Sequence, residues 1–244
     1  MAKMTNFYLF LGLICFSCMS AFGTTVADSL MKQLDDVISK RELYLRQKEN
    51  RLSELYRQLL SEDNDRSRFD ILNHLYDEYH PFNTDSAYNI SLRQEALATR
   101  IGDRNLILNA WMNRANILGA TGMYHECLNL MDSIDFRELP DYLHGFYYHI
   151  KRTIYGRMAD YAAFAPDKSK YFEITNRYRD SIMMANDRGS LPHVITKADY
   201  LNVNGSPRQA ISVMNKFMRE NNQPVRTRKS YLRMDAFRVL CENR

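Results

Sequence analysis

Between Trp111 and Met131, large, small and apolar residues recur at helical offsets on either side of one glycine: Trp111, Ala115 and Leu118 before Gly122, then Tyr124, Cys127 and Met131 after it. Offsets of three and four place each trio on one face of a helix. The glycine supplies the backbone freedom that lets the chain reverse between them. Two short helices packed back to back leave an apolar face that they cannot hide alone. Their neighbours in the chain must therefore be built alike and stack on them.

The pattern resembles a degenerate tetratricopeptide (TPR) unit, a two-helix repeat of about 34 residues. Turn markers at Pro81, Gly122, Ala159 and Gly205 recur at somewhat longer intervals, so the repeat is irregular. The resemblance implies an all-α fold of TPR-like helical-hairpin repeats, an α-solenoid, preceded by a long amphipathic helix. With 244 residues, 45% of them apolar, the chain can bury a sizeable core. Basic and acidic residues are interspersed and the net charge is only +4, which argues against nucleic acid bound by this segment.

The first 23 residues carry a separate message. Lys3 precedes an apolar run from Phe7 to Phe22 that ends in Ala21-Phe22-Gly23, the layout of a secretory signal peptide cut after Gly23. A second candidate cut follows Thr25-Val26-Ala27, and an uncleaved inner-membrane anchor is the alternative. A mature periplasmic protein is the preferred expectation. Cys15 and Cys18 would leave with the leader, and neither sits in a good lipobox. Cys127 and Cys241 remain as structural thiols, and a bridge between them is left open because spacing alone cannot decide it.

Residues 28–60 contain no Gly or Pro, and Ile38, Leu45, Leu52 and Leu59 recur at heptad spacing while Arg41 and Lys48 interrupt the companion stripe. One uninterrupted helix of roughly 45 Å is predicted. It packs on the following repeats or, alternatively, pairs in a homodimer. The repeat domain proper is expected over 67–244. Helices are predicted over 67–79, 84–101 with Thr84 or Asp85 as cap, 106–120 behind the cap Asp103, 124–134, 141–158, 169–186 and 191–203, with a turn over 159–168. Ser206-Pro207 then starts another helix. A last one begins near Arg226 and is still running at the end of the sequence. That abrupt end, with no polar capping helix, predicts a truncated form of a longer protein.

Arg41-Glu42-Leu43-Tyr44, Lys48-Glu49, Arg51-Leu52-Ser53-Glu54-Leu55 and the later Asp85-Ser86-Ala87-Tyr88, directly behind an export signal, resemble a family of bacterial exported TPR-like regulators of unknown function. The resemblance implies a one-chain sensor: an exported repeat domain, a membrane helix, then a cytoplasmic DNA-binding end. This chain would correspond to the sensing part. DNA binding would belong to the part that is missing.

No chemistry is legible. His125-Glu126-Cys127 lacks the second histidine of a helical zinc-protease motif, and His144 and His149 lie five apart, off a shared helical face. No metal site, cofactor or catalytic residue is predicted, nor any Gly-rich phosphate loop or nucleophile elbow, so the chain reads as a non-enzyme. The basic stretch Arg226, Arg228, Lys229 and Arg233 reads as a solvated helix start. Phe146, Tyr147, Tyr148, Tyr155 and Tyr161 read mainly as core, with a ligand groove as the alternative. A face for a protein or peptide partner is placed on the first helices of successive pairs, which line the concave side of a TPR stack. It comprises Asn109, Met112 and Asn116, then His149 and Thr153, then Asp199 and Asn202.

Overall fold

Asn64 accepts hydrogen bonds from the backbone N–H groups of Arg66 and Ser67, at 2.9 and 3.1 Å, and a helix starts at the next residue. Asparagine at this position satisfies donors that the first turn leaves without a partner. The same local logic recurs along the chain. In the computed structural model, which describes residues 24–221, ten α-helices and one 3₁₀ turn are found among the described residues, with no strand. The predicted leader, Cys15, Cys18, Cys241, the basic stretch at 226–233 and the last predicted helix lie outside them.

The described chain divides into two compact units, the boundary falling between Glu54 and Leu55. The predicted single N-terminal helix is in fact two, α1 (Thr24–Ser39) and α2 (Arg41–Ser61), interrupted at Lys40. Ser39 Oγ donates to the carbonyl of Asp36 at 2.8 Å, and the Lys40 N–H reaches the carbonyl of Val37 instead of its helical partner. A serine competing for a carbonyl in this way tightens the turn. A hydrophobicity pattern cannot register such an event. Ile38 and Leu45 on the heptad stripe are 58% and 42% exposed.

The second unit is a run of antiparallel helices: α3 (Asp65–Tyr79), α4 (Thr84–Ile101), α5 (Arg104–Ala120), α6 (Tyr124–Asp132), α7 (Asp141–Tyr161), α8 (Ala165–Met184), α9 (Leu191–Val203) and α10 (Pro207–Glu220). Each packs on the next, and α5 also packs directly on α7. Asn83, rather than Thr84 or Asp85, caps α4 by accepting from the N–H of Ser86. The short amide reaches the third residue of the helix and fixes its start one position early. Gly102, with φ 76°, ends α4, and Asp103 immediately caps α5, so two residues suffice for the reversal. The turn expected over 159–168 shrinks to 162–164, because Pro166 lies inside the first turn of α8, where its missing N–H costs nothing.

The core runs through the opening hairpin into α7. Leu108, Met112, Ala115 and Leu118 of α5 meet Cys127 and Met131 of α6 and Leu143, Ile150 and Ile154 of α7. Gly119 lets α5 and α7 approach closely: a Cβ there would come within 2.1 Å of Ile154 Cδ1. Beside it, Arg157 of α7 donates to the carbonyls of Gly119 and Ala120, capping the end of α5 from its neighbour. Cys127 is fully buried, and burial pushes its thiol up to about 11, so it serves as a compact hydrophobe. The bridge left open with Cys241 has its other end outside the described residues.

Candidate partner-binding face

Polar side chains lie along α3, α5, α7 and α9, hydrogen-bonded from α3 to α5 and from α7 to α9. On α3, the buried Tyr76 hydroxyl donates to the backbone carbonyl of Asn113 at 2.9 Å and accepts from Asn116 Nδ2 at 3.0 Å. Asn116 Nδ2 also lies 2.6 Å from Nε2 of His80, at the end of α3. Behind this pair an amide chain crosses three helices. Asn113 Nδ2 donates to Gln94 Oε1 at 3.0 Å and to Asn109 Oδ1 at 3.3 Å, and Gln94 Nε2 donates to Asn73 Oδ1 at 2.6 Å. Every described member of that chain except Asn109 is buried, so the amides satisfy one another where water is excluded.

The row continues on α7. His149 is half-buried by surface area, yet dense protein surrounds its imidazole, and this burial, with the charges of Arg152 and His80 adding to it, pushes its pKa down to about 3. The ring is therefore neutral at physiological pH. Arg152 Nη1 donates to Asp199 Oδ2 of α9 at 2.8 Å, and its Nη2 reaches Thr153 Oγ1 at 3.3 Å. Arg179 of α8 donates from Nε to the same Asp199 Oδ2 at 2.9 Å, and from Nη1 to Asn176 Oδ1. Burial lowers the pKa of Arg152, while Asp199 pulls it back toward its ordinary value.

Unfolded, His149 takes up a proton near pH 6.5; folded, it does so only near pH 3. Its contribution to stability is therefore fully present above pH 6.5 and is lost as the pH falls through that window, by at most about 1.4 kcal/mol per unit. Urea melts at pH 6.5 and pH 5, above the range where most carboxylates titrate, should show the loss in the wild-type chain. His149→Asn should flatten it, and an unchanged slope would show that the ring is not shielded.

Of the seven residues assigned to this face from sequence, Asn109, Asn116, Thr153 and Asp199 take part in these hydrogen bonds, His149 lies one turn before Thr153 on α7, and Asn202 lies exposed one turn beyond Asp199. Met112 does not. It is 0% exposed, in the core between α5, α6 and α7. The expectation treats α5 as open on one side, whereas α5 is the central helix and touches α4, α6 and α7, so the position three after Asn109 faces a neighbour. Sequence reasoning also misses Asn73, Tyr76, His80, Gln94, Asn113, Arg152 and Arg179. The signal for one of them is present: Asn109, Asn113 and Asn116 form an amide stripe at offsets of four and three on one helix.

The tyrosines of α7 mostly pack rather than line this row. Tyr155 stacks on Tyr178 of α8 with centroids 6.0 Å apart, Tyr148 stacks on Phe136 of the 3₁₀ turn, and burial pushes Tyr147 up to about 12. Tyr161 is exposed at the end of the helix. Among the described residues no group of histidine, cysteine and carboxylate side chains could hold a metal ion, and no helix is long and apolar enough to cross a membrane.

Residues 38–237 match the family model described as the SusR N-terminal TPR domain. No curated protein and no solved structure matches the chain.

Proposed function

The chain belongs to the family of SusR N-terminal TPR domains, and from that membership we propose that it is a non-enzymatic, exported helical-repeat protein that binds a protein or peptide partner through the α3–α5–α7–α9 row. TPR-type repeats generally act as protein-interaction surfaces, and stacked helical pairs present extended ones. The observation that carries the assignment is the pair of hydrogen-bonded clusters on these helices, Tyr76, His80 and Asn116 across α3 and α5 and Arg152, Thr153 and Asp199 across α7 and α9. Side chains held in place by one another lose little further freedom when a partner arrives. Export to the periplasm is supported by Lys3 and the apolar run that follows it. A role as the sensing part of a membrane-spanning transcriptional regulator is supported by the motifs between Arg41 and Leu55 and by the family's description as an N-terminal domain.

A photo-crosslinking residue placed at Thr153 or Asn202 in the full chain tests this reading. The row positions should give a discrete adduct that the exposed α8 position Glu173 does not give, and Asn109→Ala combined with Asn116→Ala should reduce it several-fold. Equal labelling at all three positions would remove the row as the binding face.

Self-association through the first helices is the second reading, favoured by the exposure of Ile38 and Leu45 on one stripe. In the same experiment a crosslinker at Leu45 would then join two copies of the chain.

A further inference from the structure

Two arginines from different helices spend themselves on a single oxygen of a single carboxylate. Arg152 of α7 and Arg179 of α8 both donate to Asp199 Oδ2, and neither of these donors is well solvated, their side chains being 23% and 6% exposed. Two positive charges thus face one negative charge in a place that water reaches only in part. The charged groups acting on Arg152 are Asp199 and Arg179, and the nearby His149 is neutral at physiological pH. A stabilising ion pair needs one arginine. Burying a second beside it leaves a unit of charge uncompensated, which is costly in a desolvated setting.

The hydrogen-bond count points the same way. A guanidinium carries five N–H donors. Arg179 uses Nε on Asp199 and Nη1 on Asn176, while Arg152 uses Nη1 on Asp199 and Nη2 on Thr153, so more than half of their donors have no protein acceptor among the described residues. The Arg179 Cζ also lies over the Phe172 ring, 6.0 Å from its centroid.

The geometry points to Arg152 and Arg179 as a receptor for a carboxylate of the partner, which takes the charge that Asp199 leaves over. The inference rests on the reading of the row as a partner-binding face and gives that partner a chemistry. The surplus of one charge matches a carboxylate monoanion better than a phosphate dianion, and the planar fork suits its two oxygens. An acidic side chain and a free chain terminus present the same group.

Arginine Nε–H resonances of the full chain, ¹⁵N-labelled, read the site directly. Three peptides serve as probes: a Gly/Ala peptide with two glutamates and both ends blocked, a neutral Gly/Ala peptide with a free C-terminal carboxylate, and the same neutral peptide fully blocked. Saturable movement of the Arg179 signal with the first, and not the third, supports an acidic side chain as the source; movement with the second supports a terminus. Arg179→Met should weaken binding of the active probe about tenfold or more, as expected for one hydrogen bond to a charged group. Asp199→Asn should tighten it several-fold by removing the competing carboxylate. A triad that only braces three helices predicts no saturable shift with any probe and no tightening, and that result overturns the inference. So does tighter binding of inorganic phosphate than of either carboxylate peptide. If the crosslinks from Thr153 and Asn202 persist in an Arg152→Met, Arg179→Met chain, the carboxylate inference falls while the partner-binding reading stands.

Discussion

Gly119→Val is expected to destabilise the fold by about 3 kcal/mol or more, at the upper end of what overpacking usually costs. Helix propensity alone predicts the opposite sign, since glycine inside a helix costs about 1 kcal/mol relative to alanine. Here the first added carbon already meets Ile154 Cδ1 at 2.1 Å and Cγ1 at 3.2 Å, with Cys127 Sγ at 3.5 Å. Ile154 is itself buried in the core, so its end group has little room to swing away. Gly119→Ala should therefore lose stability too, by about 1–2 kcal/mol, and Ile154→Val should recover part of the loss because it deletes the Cδ1 atom. Urea denaturation of the four chains in this cycle gives the coupling directly. A neutral or stabilising Gly119→Ala would mean that α5 and α7 do not approach as closely as described.

Gln94→Leu should cost roughly 2–5 kcal/mol although leucine is nearly the same size. Gln94 is 0% exposed and joins Asn73 of α3 to Asn113 of α5. Leucine would leave the Asn73 oxygen facing apolar atoms and deprive the Asn113 amide of one acceptor, and each buried polar group stranded in this way costs about 1–3 kcal/mol. Adding Asn73→Leu should restore much of the stability, because removing both partners of a buried hydrogen bond is far cheaper than removing one. Thermal melts of the single and double variants settle it: a double variant worse than the sum of the singles would contradict the pairing. The effect should also reach the surface, since Asn113 holds Asn109, a member of the candidate face.

The architecture was legible because its signals are local. The offsets around Gly122, the Asp103 cap, Gly102 and the Ser206-Pro207 start all fall where the chain reads them. The break at Lys40 was not legible, since it turns on which group a serine hydroxyl bonds rather than on any periodicity. The start of α8 at Ala165 is ahead of the predicted 169, and Pro166 is no obstacle to it because the first turn of a helix accepts proline. At the candidate face the sequence pattern places residues around α5, α7 and α9 but says nothing of their depth. Whether position 112 looks outward or inward depends on how many neighbours α5 has, which is a property of the stack and not of the helix. Arg152 and Arg179 were missed because their meeting on Asp199 joins residues 47 and 20 positions apart.

The packing of each helix on its immediate successors sets the order in which the second unit can be assembled. Because α3 meets α4, α4 meets α5 and so on, most contacts close short loops and demand little entropy in advance. A chain delivered end-first, from a ribosome or through a narrow translocation pore, can complete one hairpin before the next has emerged. The contacts that must wait are those that skip a helix, α3 with α5, α5 with α7 and α7 with α9, and each passes over one intervening helix.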